Sequence, residues 1–278
     1  MKLEINSLFW DNSAENNINK EHIMPTLGIS MIAHNEEKQI AGALKSSLFA
    51  DDIVVVNCES TDKTAEIISG FAKARLFDRP NNRNLNINKS FGFEQLETDW
   101  IFYLDPDEII TQELAEEIKQ AISNDQYVAY KLPRKNIFFG RWLAHGSQYP
   151  DTQLRLFKRG KAGFANRHVH EMLKVDGAIG MLKHAFEHHP YPELADYMRK
   201  MMFYTGFQAE FWKASGLSCS LFNHFRHMFF RPASRFLRRY LLKQGFRDGW
   251  QGFVAAAGDA FQNIFSYARF IELKGKKE

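Results

Sequence analysis

Two aspartates spaced two apart, Asp105 and Asp107, close the apolar run from Trp100 to Leu104. Where a chain leaves strand alternation, both carboxylates can turn to one side, and a divalent cation there could bridge them to diphosphate oxygens. On spacing alone, a solvated turn that caps the next helix explains the pair equally well. Two more polar clusters follow apolar runs in the same manner: His34-Asn35-Glu36 after Leu27 to Ala33, and Asn57-Cys58-Glu59-Ser60 after Asp52 to Val56. Neither G-x-G-x-x-G nor G-x-x-x-x-G-K-[ST] occurs, so no glycine-rich phosphate cradle is expected. The chain also lacks G-x-S-x-G and H-E-x-x-H, which removes serine hydrolysis of that type and helical zinc proteolysis. Cys58, beside one cluster, is not expected to act as a nucleophile.

The elements that must carry these clusters alternate. Apolar runs at Leu27–Ala33, Asp52–Val56, Arg75–Phe77, Trp100–Leu104 and Tyr127–Leu132 read as strands. Amphipathic or capped stretches between them read as helices, at about 63–71 after Ser60-Thr61-Asp62, 84–96 and 111–123. In 111–123 the residues Ile110, Leu114, Ile118 and Ile122 share a face. This alternation implies an α/β fold with a mostly parallel sheet flanked by helices. Ligands of such sheets gather at the carboxyl ends of the strands, where the three clusters should meet.

In order, Ile29-Ser-Met-Ile-Ala-His-Asn-Glu-Glu37, Ile53-Val-Val-Val-Asn-Cys-Glu-Ser-Thr-Asp-Lys-Thr64 and Asp99-Trp-Ile-Phe-Tyr-Leu-Asp-Pro-Asp-Glu108 resemble the signature segments of family 2 glycosyltransferases. Tyr149-Pro-Asp151, Arg155-Leu-Phe157, Val169-His-Glu171 and Gly245-Phe-Arg-Asp-Gly249 make the chain similar, more narrowly, to the bacterial lipopolysaccharide core β-glucosyltransferase branch. The resemblance runs from about 26 to 273 and implies a Rossmann-like GT-A fold with a C-terminal helical appendage. It implies that the main chain at Ala33 and the side chain of His34, with Asn35 beside them, meet the uracil of a sugar nucleotide. It implies a basic contact from Lys89, a ribose and metal contact from Asp105, and direct metal ligation by Asp107. The family usually carries Asp where this chain has Asn57, whose amide can still pair with uracil but without a charge-assisted bond. Glu59 is a candidate to compensate.

Inverting transfer needs a carboxylate to take the acceptor hydroxyl's proton, and charge to stabilise the leaving diphosphate. Asp151, four residues before Arg155 and nine before Gly160, resembles the family's acid–arginine–glycine pattern and is the first candidate base; Glu171 is the second. A strand-edge carboxylate paired with Arg155 is the plain alternative for Asp151. By resemblance His170 completes the metal shell, although His168 and His170 alternate on a strand and only one can face a given side. His188 and His189 precede Pro190 and read as loop residues.

Composition refines the picture. The chain has 278 residues and a net charge of +3. Positions 211–247 hold eight basic residues and no acid, so the remainder sums to −5. Thirteen of the 25 phenylalanines lie from Phe203 to Phe270. Such a basic aromatic stretch suits an interfacial helix at anionic lipid, and equally a helix packed on the domain with a solvated arginine face. No recognised nucleic-acid module accompanies it, so nucleic acid is not an expected partner. A second helix is expected at Gly249–Leu273, with Phe253, Ala257, Phe261, Ile264 and Ala268 clustered. Without an h-region or an 18-residue apolar run, the expected location is cytoplasmic, peripheral at the inner membrane face.

The expected organisation is a polar leader at 1–25, a GT-A domain at 26–205 and a basic aromatic helical region at 206–278. The expected activity is metal-dependent, inverting transfer of a hexose from a UDP-hexose, with Mg2+ or Mn2+, to a lipopolysaccharide core or lipid-linked glycan. Two rivals are a catalytically weak glycan- or lipid-binding protein on the same fold and a nucleotidyltransferase. The second would normally show a glycine-rich basic loop where this chain has His34-Asn35-Glu36-Glu37.

Overall fold

A computed structural model describes residues 24–165 and 172–275. Strands Leu27–Ala33 (β1), Asp52–Cys58 (β2), Ala74–Arg79 (β3) and Trp100–Tyr103 (β4) run parallel in the order β3-β2-β1-β4. Helices Ile40–Ser47 (α1), Thr64–Ser69 (α2) and Leu85–Glu94 (α3) make the crossovers. Next come Glu108–Ile109 (β5), Gln112–Ile122 (α4), Ala129–Phe138 (β6), Arg141–Trp142 (β7) and Asp151–Lys158 (β8). A small separate ladder joins Ala162–Gly163 (β9) to Lys174–Val175 (β10), and Ile179–Met181 (β11) and Phe186–Tyr191 (β12) pair parallel with β6. The long sheet continues past β4 as β8-β6-β12-β5, with β8 antiparallel to both of its neighbours.

The strands form where the sequence can fill both faces of a sheet. Ile53 and Val55 enter one core with Ile29, Trp100 and Leu114, while Val54 and Val56 enter the other with Phe93 and Phe157. Near-continuous apolar runs are what a doubly covered parallel sheet requires. In α4 the Thr111 hydroxyl accepts from the Leu114 amide (3.3 Å), and Leu114, Ile118 and Ile122 are buried, as the spacing predicts.

Helix Leu194–Ala214 (α5) packs along Gly249–Gly275 (α8), using Tyr197, Met201, Thr205, Ala209 and Trp212. A Cβ on Gly258 would sit 1.8 Å from the Tyr197 hydroxyl, so the two axes approach this closely because that residue is glycine. Between them lie Leu221–Phe225 (α6) and Arg231–Leu237 (α7), extended by π-helical turns at Arg226–Phe230 and Arg238–Leu242, and a 3-10 turn at Gly245–Asp248. The division drawn after residue 205 falls inside α5.

The expected apolar face of the last helix is corrected. Phe253, Phe261 and Ala268 are exposed, and α8 buries Gly252, Ala255, Ala256, Gly258, Ser266, Tyr267 and Phe270 instead. Small residues win that face because they admit α5. Phe253 rests edge-on against Phe236 and Tyr240. Arg235 and Arg239 both pair with Asp259 of α8, so part of the basic stretch faces inward. Asp248, from the Gly245–Gly249 segment, is buried and accepts from the amide of His145 (2.8 Å) while bonding its ring nitrogen (2.7 Å). That contact ties the helical region to the loop before β8.

Candidate active site

The carboxyl ends of β1, β2 and β4 open into a cavity of about 410 Å3, lined by Ala33, His34, Glu36, Cys58, Lys89, Asp105, Asp107, His188, Tyr191 and Lys200, among others. Lys89 reaches it because α3 lies tightly on β1: a Cβ on Gly92 would fall 2.5 Å from the Ser30 hydroxyl. Its ammonium meets Asp105 Oδ1 at 3.1 Å, while Arg155 holds Asp105 Oδ2 at 2.9 Å. Burial disfavours the Asp105 charge, but Lys89 and Arg155 outweigh it and hold the carboxyl far below the usual range. Glu108 is fully buried, accepts from the Asp105 amide (2.9 Å) and also binds Arg155. The turn of Asp105-Pro106-Asp107 is thus a packed, ion-paired structure and not a solvated cap.

Asp107 is placed differently. Strand β12 runs antiparallel to β5, and the His189 amide donates to the Asp107 carbonyl (2.7 Å). This brings His188 Nε2 to 3.6 Å from Asp107 Oδ2, with Lys200 Nζ at 3.5 Å from the same oxygen. The expectation that His188 is a loop residue is therefore corrected: it is a strand residue in the cavity wall. Asn136 donates through Nδ2 to the Gln148 carbonyl (3.1 Å) and to Asp151 Oδ2 (3.2 Å). Its Oδ1 must then accept from His188 Nδ1–H at 2.7 Å, leaving a lone pair on Nε2. Burial lowers the pKa of His188, against the pull of Asp107, and so favours the neutral ring. Two electron-pair donors, Nε2 and a carboxylate oxygen, therefore face each other across a gap too long for a hydrogen bond.

That donor set fits a divalent cation. Among the described residues no group of three or more His, Cys, Asp and Glu side chains forms a complete metal cage. A cation held by Asp107 and His188 would leave coordination positions for oxygens of a ligand, as Mg2+ sites shared with phosphates do. Asp105, with both oxygens already paired, is less available than the sequence suggested. Glu36, whose carboxyl burial and Asp107 push up to about 7, also lines the cavity.

The remaining expected residues are distributed as follows. His34 bonds the Cys58 carbonyl through Nδ1 (2.6 Å) and lines the cavity with Ala33. Asn35 is a brace: its amide donates to Ser60 Oγ (3.0 Å) and its Oδ1 accepts from Thr61 N (2.8 Å). Asn57 is buried off the cavity lining and donates to Asp78 Oδ1 (2.7 Å), its register partner on β3. Glu59 accepts from the Asn81 amide (3.0 Å) and so shapes the loop after β3. Asp151 opens β8 and pairs with Arg134 (2.6 Å) and Gln153 (2.7 Å), not with Arg155. Burial opposes its charge, but Arg134 outweighs that and lowers its pKa. His170 and Glu171 lie outside the described residues.

Lys200 lines the cavity without having been singled out in the sequence, Glu36 was singled out only within the His34-Asn35-Glu36 cluster, and His188 was read mainly as a loop residue. A strand reading of Phe186–Tyr191 would have set His188 on one face. Lys200 carries no local signal, since it arrives from a helix beyond the sheet.

An open α/β sheet with an Asp-x-Asp turn at the end of β4 defines the class: a GT-A glycosyltransferase. Residues 29–189, more than half of the chain, match Glycosyl transferase family 2, and the chain belongs to that family. It is 27% identical over 268 residues to an uncharacterized glycosyltransferase of Rickettsia typhi, covering 92% of this chain and 88% of that one. It is 26% identical over 259 residues to the lipopolysaccharide core biosynthesis glycosyltransferase LpsC of Rhizobium meliloti, covering 90% and 94%. Among solved structures, a mannosyltransferase of Pyrobaculum calidifontis in complex with GDP-Man and Mn2+ shares the fold, with a TM-score of 0.51, 13% identity and coverage of 91% and 88%.

Proposed function

We propose that this family 2 glycosyltransferase moves a hexose, with inversion, from a UDP-linked donor to a lipopolysaccharide core or lipid-linked glycan. The acceptor class is supported by the similarity to LpsC, and the uridine by the resemblance of the β1 and β2 segments to their family counterparts. The observation that carries the reading is the facing pair of Asp107 Oδ2 and His188 Nε2, with Lys89 and Lys200 in the same cavity. A divalent cation, Mg2+ or Mn2+, supplies positive charge to the leaving diphosphate when bound. Asp107 and His188 would hold it, and Asn136 would keep His188 in the required tautomer. Lys89 steadies Asp105 beside the nucleotide. Asp151 is the candidate base that takes the proton from the acceptor hydroxyl. To do so it must loosen from Arg134, because a paired carboxylate is a weak base.

The acceptor is amphiphilic on this reading, and the helical region suits a peripheral role at the inner membrane face. Among the described residues no helix is long and apolar enough to cross a membrane. Phe203, Phe207 and Phe211 of α5, and Phe222, Phe225 and Phe229 beyond it, are exposed, and Arg226 and Arg231 in the same region are half-buried.

A thermal-shift panel of UDP-, GDP- and dTDP-sugars, with and without Mn2+, tests the donor and the cation together, since a ligand that binds only the folded state raises the melting temperature. UDP-sugars with Mn2+ are expected to stabilise most, and Asp107→Ala to erase the Mn2+-dependent part and the turnover. Activity or Mn2+ dependence unchanged in that variant would remove Asp107 from the site.

A further inference from the structure

Lys200 stands on the second turn of α5, outside the sheet, yet its ammonium enters the cavity 3.5 Å from Asp107 Oδ2 and 5.7 Å from the Tyr191 ring centre. The helix that delivers it is rigidly seated. Tyr197 and Met201, flanking Lys200, are buried with Phe138, Leu143 and Ala255. The side chain itself remains 42% exposed on a flexible four-carbon stem, so it can change partner without moving the backbone.

Its present partner is the carboxylate that also faces His188. A cation held between Asp107 and His188 would repel an ammonium this close and shift it toward negative charge elsewhere in the cavity. The negative group that the cavity would receive is the diphosphate of the donor. We propose that Lys200 binds a non-bridging oxygen of that diphosphate, so that α5 of the helical region completes the donor site. This role rests on the nucleotide-sugar reading above and adds a residue from outside the segment matched to the family, which ends at 189.

The test separates phosphate from base. Wild type, Lys200→Met and Lys200→Arg are titrated with a nucleoside diphosphate, UDP or GDP, whichever the wild type binds, and with the corresponding nucleoside. In Lys200→Met the diphosphate should bind roughly 10- to 100-fold more weakly, the ratio expected for one charge-assisted contact, with nucleoside affinity unchanged. Lys200→Arg should recover most of the loss. Diphosphate affinity unchanged in Lys200→Met would overturn the proposal, and so would an equal loss for the nucleoside, which marks a distorted cavity. A wild-type protein that binds neither diphosphate would instead overturn the donor reading, and this role with it.

Discussion

Asp105 and Asp107 are two residues apart and chemically identical, yet their surroundings separate them. Lys89 and Arg155 occupy both oxygens of Asp105, whereas Asp107 presents one oxygen to His188 and Lys200. The first organises the turn and the second is open to a ligand. Asp151 raises a sharper question, because its carboxylate is already held by Arg134, Asn136 and Gln153. If it is the base, Asp151→Asn should lower kcat by roughly 100-fold or more while leaving donor affinity within a few fold, as loss of proton transfer does. Single-turnover rates with titrated donor would measure both; an unchanged rate would pass the role to Glu171. The place of the Asp-x-Asp pair was legible from strand position, but spacing alone left a solvated turn equally open, and its metal role came from the family resemblance. Its asymmetry was not legible, since Arg155 lies 50 residues from Asp105 in sequence.

At the scale of elements, the α5–α8 pairing is the clearest case of packing overriding pattern. Phe253 and Phe261 were expected to cluster, but the buried face of α8 is taken by Gly252, Ala255, Ala256 and Gly258 in its first half and by Ser266, Tyr267 and Phe270 in its second. The same bundle holds a titrating group. His227 is 2% exposed, lies parallel to the Tyr267 ring (4.8 Å) and meets Trp212 edge-on. Its Nδ1 has no hydrogen-bond partner among the described residues. Burial, with help from Arg231 and Arg226, lowers its pKa from 6.5 to about 4. The folded state therefore binds the proton less readily than the unfolded chain. The stability contributed by the neutral ring is fully present above pH 6.5 and is lost as pH falls toward 4, reaching roughly 3 kcal/mol. Denaturant melts of wild type and His227→Phe across that range should diverge by this amount, with wild type weakening faster. Parallel curves would show that the imidazole does not titrate in this window.

For the whole molecule, the net charge of +3 averages two unlike regions. The cavity, where Asp105 and Asp107 are offset by Lys89 and Lys200, lies at the sheet ends, while the eight cations of 211–247 lie in the helical region. Arg235 and Arg239 spend their charge on Asp259 and are unsuited to reading a lipid surface. Arg226 and Arg231, which crowd each other enough to lower the Arg231 pKa after burial, are better candidates. Reversing both to Glu should release the protein from vesicles rich in anionic lipid, where each basic residue contributes about 1 kcal/mol, without altering turnover on a water-soluble acceptor. Co-sedimentation with anionic and neutral vesicles checks this, and a wild type that ignores both would end the membrane reading.

The sequence by itself determined the strand–helix alternation, the buried strands and the family, because these depend on periodicity and on ordered local motifs. It also brought the residues after β1 and β4, among them His34, Asp105 and Asp107, to one cavity, since strand ends in a parallel sheet converge, while Lys89 on α3 was placed there only by the family resemblance. Only the tertiary structure decided that Asn57 turns to Asp78, that His188 faces Asp107, and that Lys200 closes the cavity from α5. The physical reason is range. Each of those contacts joins elements that meet only through sheet register or helix packing, and no window of neighbouring residues contains both partners.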